Sequence, residues 1–158
     1  MKMTKFDRDF VARTRQLLFR IESDNPDFEY NVTLLLNCLL GLLTLPIERK
    51  KDHTSPTSVA FQKTSIAKLH NLGVLIHNPQ SLPDDKVFRK IRNAIAHLNI
   101  EIGDDPAPDI NKIILKDHNL EVEFTFAQLK DFALAVSELY LDSYFPNELA
   151  SVTLSHGN

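Results

Sequence analysis

The segment FEYNVTLLLNCLLGLLTL, residues 28–45, is apolar around most of a helical wheel, and a helix of that kind must be covered on several sides. The rest of the chain therefore has to supply amphipathic partners, or a second copy has to complete the cover. The uncharged run from Val32 to Ile47 is shorter than a bilayer crossing and is interrupted by Asn37, Gly41 and Pro46, so a buried core helix is expected and no membrane role. Cys38, the single cysteine, excludes an intramolecular disulfide. It reads as a small buried hydrophobe and fits a reducing, cytoplasmic compartment.

Periodicity finds the partners. Phe6, Phe10, Thr14, Leu17, Leu18 and Ile21 keep helical spacing, which predicts a first helix from Lys5 to Glu22, ended by Asn25-Pro26. Val59, Phe61, Ile66 and Leu69 predict a shorter helix over Ser58–Asn71, closed by Gly73. Beyond Pro79 and Pro83, Asp84 and Asp85 occupy the capping and first-turn positions of a helix that continues to about Asn99. Alternation in NKIILKDHNLEVEFTF, with Asp117-His118-Asn119 in the middle, predicts a β-hairpin. Thr125 and Gln128 then form a capping box for a last helix, Phe126–Phe145, with Leu129, Phe132, Ala133, Val136 and Tyr140 on its apolar stripe. Pro146 stops it, and residues 147–158 read as a flexible tail.

These elements give an all-α fold class, an up-down bundle of four to five helices with a small β-hairpin before the last. At 158 residues and 43% hydrophobic side chains, residues 1–158 are expected to form a single domain. Two segments stand outside the pattern: a loop over Ile47–Ser58 with Arg49, Lys50 and Lys51, and an acidic loop over Gly103–Asp109. The opening MKMTKFDRDF scatters charges among its apolar positions, so neither a signal peptide nor a membrane anchor is expected there.

Several functions are excluded by what the residues do not spell. Four glycines in all leave no Walker or Rossmann phosphate cradle, and the six dispersed histidines form no HEXXH or CXXC-type metal spacing. No metal and no cofactor is expected; His70 and His77 read as surface histidines. The net charge of −3 conceals an asymmetry. Residues 1–100 carry 15 Lys and Arg against 10 Asp and Glu, whereas residues 101–158 carry 3 against 11. Part of the surface can therefore attract a polyanion.

The fourth helix contains RNAIAH, Arg92 to His97. At about 100° per residue, Val87, Phe88, Ile91, Ala94, Ile95 and Leu98 share one arc and are expected to face the core. Asn93 and His97 fall on the opposite side, with Lys86 and Arg89 earlier on that side and Arg92 at its border. A histidine can move protons near neutral pH, and a guanidinium can hold phosphate oxygens and transition-state charge. Asparagine one turn before the histidine can orient the ring or bind a phosphate oxygen. A solvated helix face with a surface histidine is the plain alternative.

RNAIAH resembles the Arg-x4-6-His motif of the HEPN superfamily, in its form with a polar residue after the arginine. The likeness extends to the layout of helices with the motif in a late one. What the resemblance implies is a metal-independent endoribonuclease of toxin or phage-defence type, working as a homodimer on RNA and leaving a 2′,3′-cyclic phosphate. His97 would be the general acid/base, Arg92 the phosphate clamp and Asn93 the supporting polar residue; Lys86 and Arg89 are added here as substrate-backbone contacts. The resemblance also leaves open a non-catalytic module that binds RNA or nucleotide, or that partners an antitoxin or a nucleotidyltransferase. A helical interaction domain with no nucleic-acid role is the third reading.

Overall fold

A computed structural model of the chain describes residues 5–21, 28–48, 55–103 and 112–146. Five helices, α1 (Lys5–Arg20), α2 (Phe28–Glu48), α3 (Pro56–Asn71), α4 (Asp84–Ala96) and α5 (Phe126–Tyr144), are accompanied by four strands, β1 (Leu75–His77), β2 (Ile100–Gly103), β3 (Lys112–Asp117) and β4 (Leu120–Thr125). The segments expected as a basic loop, an acidic loop and a tail lie largely or wholly outside the described residues.

α2 packs against α1, α4 and α5, and Leu35, Leu39, Leu42 and Leu43 are shut off from solvent. Gly41 lets α1 come close: a Cβ there would lie 2.8 Å from the ring of Phe10. α1 ends at Arg20, where the Lys130 ammonium of α5 donates to the Ile21 carbonyl. A cation is favourable among the last carbonyls of a helix. Cys38 is buried, and burial pushes its thiol above the ordinary value. Phe61 of α3 meets Phe88 of α4 and Tyr140 of α5 edge to face, at 5.7 and 6.1 Å between ring centroids. That aromatic joint fixes the inward face of α4.

The all-α expectation needs correcting. The hairpin β3–β4 is the middle of a four-stranded antiparallel sheet in the order β1-β4-β3-β2, to which β1 and β2 add the edges. Ile113, Leu115, Val122 and Phe124 face the core, while Lys112, Lys116, Glu121 and Glu123 face outward. Across the outer face Lys112 meets Glu123 at 3.4 Å, and Lys116 meets Glu101 at 3.0 Å and Glu121 at 3.5 Å. The hydrogen bond to Glu101 raises the Lys116 pKa above its usual value.

Two helix ends feed those edge strands by the same geometry. After α3, Gly73 has a φ of 73°, its N–H donates to the His70 carbonyl, and the Val74 N–H donates to the Leu69 carbonyl. After α4, Leu98 has a φ of 57°, its N–H donates to the Ile95 carbonyl at 3.1 Å, and the Asn99 N–H donates to the Ala94 carbonyl at 2.8 Å. Both are Schellman closures, for which glycine is the usual left-handed residue. The helix expected to run to Asn99 therefore stops at Ala96, and Leu98, expected in the core, is 79% exposed.

A side chain other than glycine in this conformation costs about 1–2 kcal/mol. Leu98→Gly should therefore stabilise the chain by about 1 kcal/mol and raise the melting midpoint by about 2–4 °C, measured by thermal unfolding. A lowered midpoint would count against the left-handed closure.

Candidate functional site

α4 begins at Asp84, directly after Pro83, whose carbonyl accepts the N–H groups of Lys86 and Val87. Pro83 rather than Asp84 holds the cap position, so both aspartates belong to the first turn. Val87, Phe88, Ile91, Ala94 and Ile95 are buried, as the arc predicts. The opposite side carries the residues singled out from RNAIAH.

Arg92 and Asn93 are brought together. The Arg92 Nη2 donates to Asn93 Oδ1 at 2.8 Å, and Nε donates to the same oxygen at 3.3 Å. Both side chains are half-buried. Asn93 thus orients the guanidinium; among the described residues it makes no side-chain hydrogen bond to the His97 ring. Adjacent residues on a helix point about 100° apart, so only a side chain as long as arginine can fold back on its neighbour. No periodicity in the sequence signals that contact.

His97 is not a residue of the helix body. It caps α4 with φ −94° and ψ 6°, its N–H donating to the Asn93 carbonyl at 2.9 Å. Its ring is exposed, and among the described residues no hydrogen bond or ion pair holds it. It stands at the lip where α4 turns into β2, with the exposed side chain of Leu98 beside it.

The two proposed substrate contacts separate. Lys86 is exposed, but Arg89 is half-buried and pairs with Asp85 one turn back at 3.2 Å, its enclosed Nε having no partner. The Asp85-Arg89 spacing was legible as an i,i+4 pair. Lys90, on the flank of Lys86, is held by Asp117 of the hairpin at 3.5 Å. Two of the four cations of α4, Arg89 and Lys90, are therefore compensated by carboxylates.

Chemically, the arrangement offers an oriented guanidinium and an exposed imidazole at one end of a helix. Among the described residues no three His, Cys, Asp or Glu side chains converge as a metal-binding group, and no helix is long and apolar enough to cross a membrane. No curated protein and no solved structure matches the chain. A family model does: that described as HEPN pEK499 p136 matches residues 1–147, which include all of α1 to α5 and the whole RNAIAH segment. A match over nearly the full length places RNAIAH within a HEPN domain, and the chain belongs to the HEPN pEK499 p136 family.

Proposed function

We propose that the chain is a metal-independent endoribonuclease of toxin or phage-defence type that acts as a homodimer on RNA. The observation that carries this reading is the Arg92 guanidinium held by Asn93 less than two turns from the exposed His97 of a HEPN chain. RNA brings its own nucleophile. The 2′-oxygen attacks phosphorus, the bond from phosphorus to the 5′-oxygen breaks, and the products are a 2′,3′-cyclic phosphate and a 5′-hydroxyl. A neutral imidazole takes the 2′-hydroxyl proton, and an imidazolium gives a proton to the departing 5′-oxygen. Arg92 lies against the phosphate, where charge builds in the transition state.

Base and acid are required in the same displacement, and one imidazole cannot be both at once. Two copies of His97 across a twofold axis supply the pair. Its position at the end of α4, outside the packed body of the helix, suits a ring that meets its counterpart from a second subunit.

The second reading is a HEPN module that binds RNA or nucleotide, or partners an antitoxin or nucleotidyltransferase, without cleaving. It is favoured by the pairing of Arg89 with Asp85 and Lys90 with Asp117, which lowers the positive charge near the motif.

The readings part on a mixed RNA pool. Wild type should cleave with EDTA present, His97→Ala should lower the rate by about 10²–10⁴, and end-group analysis should find cyclic phosphate. Salt-sensitive RNA binding without cleavage would decide for the second reading. Asn93→Ala should slow cleavage about tenfold with little change in melting midpoint, since it releases a hydrogen bond to a charged group. Mixing wild type with an equal amount of His97→Ala and allowing subunits to exchange should leave about a quarter of the activity of the same total amount of wild type, because only dimers with two histidines work. A residue of about one half would mean that each subunit acts alone.

A further inference from the structure

Among the described residues α1 carries the most exposed cations without a carboxylate partner, three, against two on α3 (Lys63 and Lys68) and one on α4 (Lys86). α1 carries Lys5, Arg8, Arg13, Arg15 and Arg20 against two acids, of which Asp7 is buried and Asp9 is tied to Arg8 at 3.0 Å. Lys5, Arg13 and Arg20 are exposed and have no carboxylate within ion-pair distance among the described residues. At about 100° per residue these three fall within an arc of about 80°, which also holds Gln16 and Asp9, the latter's carboxylate being the one tied to Arg8. Phe6, 65% exposed, borders the arc on one side, and Phe19, 61% exposed, borders it on the other. The Arg15 guanidinium lies over the Phe19 ring at 5.4 Å from its centroid.

A cationic strip between two exposed aromatic rings is the composition that binds a single-stranded nucleic acid: cations follow the phosphates, and rings or guanidinium planes stack on bases. A helix of this length is about 24 Å long, room for a strand of about four nucleotides, the lower end of known single-strand sites. Two other partners fit less well. The apolar side that an amphipathic helix would insert into a membrane is already spent, because Val11, Leu18 and Ile21 are in the core. A protein partner would find charge at the centre of this surface and apolar residues at its margins, the reverse of the usual interface. α1 packs on α5 and α2, whereas α4 packs on α3, α2 and the sheet, so the strip is a surface separate from the motif.

We propose that the outer face of α1, with Lys5, Arg13 and Arg20 between Phe6 and Phe19, is an anchoring site for single-stranded RNA remote from Arg92 and His97. The proposal rests on RNA being the ligand of the motif, in either form of that reading. It assigns a large part of RNA affinity to a helix that has no part in cleavage.

The test uses the full chain carrying His97→Ala, so that RNA is not consumed, and a fluorescein-labelled single-stranded RNA of about 15 nucleotides, within the site sizes of such surfaces. Anisotropy titrations at several salt concentrations give the affinity and its salt slope. Adding Arg13→Glu and Arg20→Glu should weaken binding at least about tenfold and reduce the slope by about 1.4, the loss expected for two phosphate contacts on a single strand. Phe6→Ala with Phe19→Ala should weaken it at least about fivefold, and circular dichroism confirms that each variant is folded. Unchanged affinity and slope in the folded charge-reversed chain would overturn the proposal. So would sedimentation with phosphatidylserine vesicles that depends on Arg13 and Arg20 while RNA binding does not. If wild type cleaves nothing but the charge reversal still abolishes RNA binding, the nuclease reading fails and the anchor stands. If cleavage requires His97 while the charge reversal leaves binding intact, the anchor alone fails.

Discussion

The architecture beyond Ala96 depends on the left-handed turn at Leu98. Had α4 continued for another turn, Leu98 would have joined the core arc, a gain of roughly 1.5–3 kcal/mol for a buried leucine. The chain gives that up and accepts about 1–2 kcal/mol of backbone strain as well. In exchange, with the Leu98 and Asn99 N–H groups still bonded back to the helix, the Asn99 carbonyl accepts from the Lys116 N–H and Ile100–Gly103 pair with β3 along four residues. At about 1 kcal/mol net per hydrogen bond, that set is comparable to the combined loss, and partial burial of Ile100 adds to it. The turn also releases His97 from the helix body. The β2 edge of the sheet and the placement of His97 are thus consequences of the same closure.

The closures after α3 and α4 explain what could be read from the sequence and what could not. They share one hydrogen-bond pattern, but only the first displays a glycine, so Gly73 announced its helix end and Leu98 did not. Leucine at the right phase of an apolar stripe argues for more helix, and tertiary pairing overrode that local preference. β1 was hidden by its length: Leu75-Ile76-His77 is too short to display alternation. The β3–β4 hairpin was legible because its alternation is longer and its Asp-His-Asn turn is explicit. The start of α3 at Ser55-Pro56 was in plain sight as an N-cap followed by proline, and Ser55 Oγ does accept the Ser58 N–H at 3.2 Å, yet the neighbouring charges suggested a loop. At the site, residue types and the buried arc were readable, whereas the fold-back of Arg92 on Asn93 was not.

Charge is sorted by element. The acidic part of the chain supplies Glu101, Glu121 and Glu123 to the outer face of the sheet, where Lys112 and Lys116 bridge them into a ladder. Such cross-strand pairs suit a solvated sheet face and leave little net positive charge to draw RNA there. The basic part supplies α1 and α4, and within α4 Asp85 and Asp117 neutralise two cations. A near-neutral average therefore divides into an acidic sheet, a partly compensated motif helix and a basic first helix. A long anion approaching the molecule meets unequal fields on different sides.

In the proposed reaction Arg92 and His97 serve the same phosphate. On an ideal helix the two positions differ by about 140° in direction and about 7.5 Å along the axis, more than one phosphate spans. Asn93 lies between them, about 100° from Arg92 toward the side of His97. By accepting from Nε and Nη2, its carboxamide holds the guanidinium toward the side of Asn93. The second subunit in the proposed reaction is then needed less to bring an arginine to a histidine than to bring a second histidine to the first. The polar residue after the arginine acquires a physical task, which is to turn a side chain at the edge of the helix toward the end where the imidazole stands.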